Sequence, residues 1–87
     1  MSWLLPQVAT RTNATELLHQ GFVMLEKNEQ VFDGESLQKF DSTILAVMLA
    51  WQRAAQARQA TLTFQNLPTK LVDLIQVYGV ADIIGSV

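Results

Sequence analysis

Apolar and polar positions along this chain alternate between two periods. Trp3 to Thr10 reads as a short strand, and Pro6 confines it to a sheet edge or to the strand's start. From about Ala14 to Asn28 the apolar set Ala14, Leu17, Leu18, Gly21, Met24 and Leu25 recurs at helical spacing. Thr12 or Asn13 can cap that helix. Gly21 lowers helix propensity, but on the buried face it lets the backbone approach the sheet. Val31 to Phe40 is a second apolar, strand-like run, strongest to Leu37 and interrupted at Asp33-Gly34 by a bulge or an early end. A long amphipathic helix then runs from Ser42 to about Arg58, with Ile44, Val47, Met48, Trp51 and Ala55 as one stripe. Leu45 and Leu49 widen that stripe beyond what one sheet needs. Ala60 to Gln65 alternates as a strand. Asn66-Leu67-Pro68 is a turn, and Thr69 to Tyr78 is a third helix with Leu71, Leu74, Ile75 and Tyr78 on one face. Gly79 suits the position just past its end, and Val80 to Ile84 forms a last helical turn or a strand.

The resulting order, β-α-β-α-β-α, predicts an α/β domain with a short, mostly parallel sheet. Its 87 residues make one domain, residues 1–87. A chain of this size buries only about 60–65% of its unfolded surface, so stability margins are thin. Hydrophobic residues make up 49% and charged residues only 16%, a balance that suggests a further face covered by a partner. A net charge of −2 leaves no electrostatic footprint for nucleic acid. With no cysteine, disulfides, thiolate metal sites and thiol nucleophiles drop out together. No stretch approaches the roughly 18 apolar residues of a membrane span, and residues 1–6 lack a signal peptide's basic and apolar regions, so the expected location is cytoplasmic.

The candidate chemistry converges on Phe40-Asp41-Ser42-Thr43-Ile44-Leu45. Asp41 is placed as an N-cap, which sets the Ser42 and Thr43 hydroxyls at the mouth of a strand-to-helix junction. In open α/β sheets the ends of parallel strands are where partners and ligands meet the fold. His19 is the single histidine and has no second ligand nearby, so it reads as a solvated or boundary residue. Asp33, Glu35 and Asp41 lack recognisable ligand spacing and read as a solvated rim. Gly34, Gly79 and Gly85 are isolated, so no phosphate-cradling loop is visible. The chain advertises a surface rather than a catalytic pocket, with no cofactor and no metal.

From Asn13 to Ile84 the chain resembles a STAS domain, the fold shared by anti-sigma factor antagonists and sulfate-transporter tails. The resemblance rests on Asn13-Ala14, Leu17-Leu18 and Gly21, then Val31-Phe32-Asp33 and Leu37. Phe40-Asp41-Ser42 is similar to the family signature V-D-S-S/T-G-L. Leu62, Asn66-Leu67-Pro68, Leu71, Leu74, Tyr78-Gly79-Val80 and Ile83-Ile84 complete it. Three departures stand out. Ile44 occupies the signature glycine's position, Leu5 to Thr10 is a degraded form of the N-terminal strand with the strand before it absent, and Gly34-Glu35 replaces a Leu-Ser pair.

Within the family the long helix and the C-terminal tail are most similar to the MlaB-like members. Those are small cytoplasmic subunits of a phospholipid-transport ABC complex that maintains outer-membrane lipid asymmetry. The resemblance implies a non-enzymatic accessory subunit that binds the transporter's ATPase, an MlaF-like protein, and is peripheral to the inner membrane without inserting into it. The implied partner surface is Asp41, Ser42, Thr43 and Leu45, continued by Leu49 and Gln52 and rimmed by Lys39 and Asn66. The alternative implied function is an anti-sigma factor antagonist switched by phosphorylation of Ser42. There Ile44 would hinder a kinase, and Asp41 would repel the phosphate. A third reading is a structural homodimer formed through the N-terminal edge.

Overall fold

The computed structural model describes residues 2–85. Along the chain the elements are β1 (Trp3–Leu4), β2 (Val8–Ala9), α1 (Ala14–Glu26), β3 (Val31–Asp33), β4 (Lys39–Phe40), α2 (Thr43–Ala57), β5 (Thr63–Gln65), α3 (Thr69–Val77) and α4 (Ala81–Ile84). All strand pairs are parallel. They form a three-stranded sheet in the order β1-β3-β5 and a separate two-stranded sheet of β2 and β4.

The two sheets come from breaking two expected strands. The first run breaks between Leu4 and Val8, around Pro6, which has no N–H for a ladder. The second ends early at Asp33, where the Leu37 N–H closes a turn onto the Gly34 carbonyl, and it resumes at Lys39. The two segments therefore pair twice, Trp3 opposite Phe32 and then Val8 opposite Lys39.

Register aligns Trp3, Phe32 and Phe64 across the three strands. Their side chains share one sheet face and meet Trp51 of α2. Phe32 lies 5.1 Å from Trp51 at 86° between rings, and Trp3 lies 5.7 Å from it at 75°. Such edge-to-face pairs set positive ring edges on negative faces and contribute about 0.5–1.5 kcal/mol each beyond area burial. Around them pack the fully buried Leu5, Leu17, Ile44, Met48, Leu71, Ile75 and Ile84.

The α2 stripe Ile44, Val47, Met48, Trp51 and Ala55 is buried as its spacing predicts. Gly21 differs from its expected role. It faces α2 rather than the sheet, and a Cβ there would overlap the Trp51 indole. The indole lies across α1 at this gap, and its Nε1–H donates to the Leu18 carbonyl at 3.0 Å. Tyr78, expected on the packed face of the third helix, is exposed. Ile84 is buried because α4 folds as a helical turn against α2.

Three helices end alike. The residue past each end takes a left-handed backbone, Asn28 (φ 66), Gln59 (φ 58) and Gly79 (φ 69). The following amides of Glu29, Ala60 and Val80 reach back to the carbonyls of Met24, Ala55 and Ile75. These are Schellman closures, which satisfy carbonyls left open at a helix end.

Candidate functional site

The β4-to-α2 junction is organised by Asp41. Its Oδ1 accepts the Thr43 N–H at 2.9 Å, and its Oδ2 accepts the Arg11 N–H at 3.3 Å. The carboxyl titrates below its ordinary value of 3.8, first because the Thr43 hydroxyl donates to it, then because of the Arg11 and Thr43 amides and the Arg11 charge; partial burial opposes them. Asp41 is therefore not the N-cap that the sequence placed it as: Ser42 is the flanking residue, the helix begins at Thr43, and Asp41 holds that first amide from one position further out. The Ile44 N–H already bonds the Asp41 carbonyl, and the Leu45 N–H the Ser42 carbonyl. Asp41 thus holds Thr43 inward and leaves Ser42 exposed.

Arg11 had no signal in the sequence. It stands thirty positions from Asp41 and meets it only because β2 pairs with β4. Asn13 helps to place it. Instead of capping α1, its Oδ1 accepts the Thr10 N–H at 2.9 Å and its Nδ2 donates to the Val8 carbonyl at 2.8 Å, which fixes the loop carrying Arg11.

The remaining expected contact residues separate. Lys39 is exposed immediately before Phe40 and Asp41. Leu49 is half-buried against the core. Leu45 and Gln52 are not on the surface: they are only 5% and 7% exposed. Gln52 spans two carbonyls, with Nε2 donating to Leu62 at 2.9 Å and Ile84 at 2.6 Å. α4 packs against α2 and its Ile84 carbonyl meets Gln52, so Leu45 and Gln52, both expected on the partner surface, are interior packing.

Asn66 is exposed but belongs to a second polar cluster. Its Nδ2 donates to both oxygens of Asp33 at 3.3 Å, Gln65 donates to Oδ2 at 3.3 Å, and the Glu35 N–H donates to Oδ1 at 2.9 Å. Asp33 is 8% exposed, so it is an internal staple and not the solvated rim residue its spacing suggested. Its carboxyl is held below 3.8, chiefly by the Glu35 amide and further by Gln65 and Asn66, against the opposing effect of burial.

Among the described residues no group of three or more His, Asp or Glu side chains is arranged to hold a metal ion. Two open grooves are present, one of about 350 Å³ between α1 and α2 and one of about 320 Å³ between β1 and α1. Asp41, Ser42 and Thr43 line neither of these. The junction is thus a polar surface tied down at Asp41 and presenting Ser42. No helix among the described residues is long and apolar enough to cross a membrane.

No curated protein sequence matches the chain. A family model described as "Mlab, STAS domain" matches residues 7–85, a span that holds the junction, both polar clusters and all four of the helices described above. The family points to a regulatory or accessory role and is generally non-catalytic. This chain is an MlaB-like member of the STAS domain family.

Proposed function

We propose that the chain is a non-enzymatic accessory subunit that docks on the cytoplasmic ATPase of an Mla-type phospholipid-transport ABC transporter. It would reside in the cytoplasm, at the inner membrane through that complex. The observation that carries this reading is the family match across residues 7–85 together with a preorganised, exposed α2 start. Ser42 and Lys39 form the centre of the docking surface, with Asp41 and Thr43 behind them and Leu49 and Asn66 at its margins. Docking supports activity only by favouring one ATPase state over another, so the affinity for the hydrolysis-competent state must be the higher one.

Affinity capture from native lysate, read by mass spectrometry, tests this. Wild type recovers an ABC-type ATPase, and Ser42→Arg, which alters an exposed side chain, does not. Recovery of an anti-sigma kinase, or of no ATPase, overturns the reading.

The exposure of Ser42 supports a second reading, a phosphorylation-switched anti-sigma factor antagonist. Against it, a phosphate on Ser42 meets an ionised Asp41 and first-turn amides that are already bonded. Intact mass after incubation with an anti-sigma kinase and ATP separates the two. A stoichiometric gain of one phosphate favours the switch.

A further inference from the structure

Two cations flank the α2 start. Arg11 is exposed, and the group it gives to Asp41 is its backbone N–H, which leaves the guanidinium uncommitted. After the Thr43 hydroxyl and the two amides, the Arg11 charge also helps keep the Asp41 carboxyl ionised, so the cation lies at the junction. The loop beneath it is fixed. The Thr12 N–H donates to the Thr10 hydroxyl at 3.3 Å, the Asn13 N–H donates to the Thr10 carbonyl at 3.1 Å, and the Asn13 side chain bonds Thr10 and Val8. Lys39 is exposed on β4, the neighbouring strand, opposite Val8. Among the described residues neither cation is in ion-pair contact with a carboxylate. Asp41 is taken up by Thr43 and Arg11 amides, Glu16 accepts from Gln20 at 3.3 Å, and Glu35 sits with the Asp33 cluster. A chain of net charge −2 thus presents an uncompensated positive pair here.

We infer that, where the chain docks through its α2 start as proposed above, the face it meets on the ATPase is acidic: one carboxylate pairs with the Arg11 guanidinium and another approaches Lys39. An arginine fork takes a carboxylate with two parallel bonds, and a fork carried on a fixed loop loses little freedom in doing so. A protein face fits this pair better than a lipid surface, because anionic headgroups are held by clusters of about four to eight Lys or Arg. Ser42 beside them is short and neutral, so added bulk there blocks the approach of the same face.

Titration calorimetry with the purified Mla-type ATPase tests it on wild type, Arg11→Glu, Lys39→Glu and Arg58→Glu, the last an exposed cation at the far end of α2. The bond from Arg11 to Asp41 is made by the backbone and survives the substitution. Circular dichroism confirms that each variant folds; where a reversal does not fold, Arg11→Gln or Lys39→Gln carries the same test with a smaller loss. Wild type binds, and added salt weakens it. Arg11→Glu and Lys39→Glu each bind about tenfold or more weakly, while Arg58→Glu binds as wild type does. Reversals that bind as tightly as wild type, or an Arg58→Glu that loses as much, overturn the acidic face and leave docking itself standing. A wild type that binds no ATPase overturns both. Cosedimentation with phosphatidylglycerol vesicles that both reversals abolish assigns the cations to lipid and overturns the protein partner.

Discussion

Gly21→Ala is the sharpest test of the packing between α1 and α2. Two opposing effects fix its sign. Alanine in a helix interior is favoured over glycine by about 1 kcal/mol. The new Cβ, however, overlaps Nε1 and Cε2 of Trp51 and lies 2.7 Å from Cζ2. The indole cannot swing clear. It is fully buried, tied to Leu18 and in edge contact with Trp3 and Phe32. Relief means separating the helices or moving the ring. Overpacking of this kind costs about 1–3 kcal/mol, and a stranded buried indole N–H adds about 1–3 kcal/mol. Less the propensity gain, the net destabilisation is roughly 1–5 kcal/mol, a large share of the stability of a small domain. For this size that lowers Tm by roughly 4–40 °C. Urea unfolding followed by far-ultraviolet circular dichroism measures it. Trp51→Phe removes the overlapped atoms, so the double variant Gly21→Ala/Trp51→Phe loses less than the sum of the two singles, with a coupling of about 1 kcal/mol or more. A Gly21→Ala protein more stable than wild type, as helix propensity alone dictates, refutes the reasoning.

Gln52→Leu strips the Leu62 and Ile84 carbonyls of a shared buried donor and costs roughly 2–4 kcal/mol in urea unfolding. Unchanged stability would return Gln52 to the surface. Gln59→Gly relieves a left-handed glutamine at an exposed helix end and stabilises by about 0.5–1 kcal/mol in the same assay. Asp33 and Asp41 both ionise more readily in the folded chain than at their ordinary value of 3.8. The folded state therefore binds fewer protons than the unfolded one. The stability these groups supply is full above the unfolded pKa and is lost as pH falls through the lower folded values. Thermal unfolding across the acid range shows this loss, and Asp33→Asn flattens it; an unchanged slope in that variant would exclude Asp33 as a source.

Much of this architecture is legible from side-chain period alone. The buried positions Leu17, Gly21 and Leu25 of α1 and the stripe from Ile44 to Ala55 of α2 recur at the spacing of a helix with one buried face. Period fails where a helix is covered on two sides. Leu45 and Gln52 lie beside the stripe and look solvent-facing, yet both are buried, Gln52 against the Ile84 carbonyl of α4. Gln52 is moreover a polar residue whose burial depends on carbonyls at Leu62 and Ile84, distant in sequence. The same limit applies at the site. Asp41 and Ser42 declare the helix start through local cap chemistry, whereas Arg11 joins them only through a strand pairing. Asp33 showed its charge in the sequence but not its three hydrogen-bond donors. The split of both early strands follows from Pro6 and from the turn at Gly34. Each of the two is a local signal, but only their pairing creates the second sheet.

The contact between Trp3 and Trp51 turns the fold into its own spectroscopic reporter. Two indoles 5.7 Å apart and nearly perpendicular are close enough for their electronic transitions to couple. One belongs to a strand only two residues long and the other to the centre of α2. So short a strand is held mainly by its aromatic ring wedged among Phe32 and Trp51, and little by its backbone ladder. Peeling β1 away would abolish the exciton couplet while leaving the helical amide signal intact. The chain thus carries an unlabelled optical gauge of its sheet edge, readable in the circular dichroism of the wild-type protein.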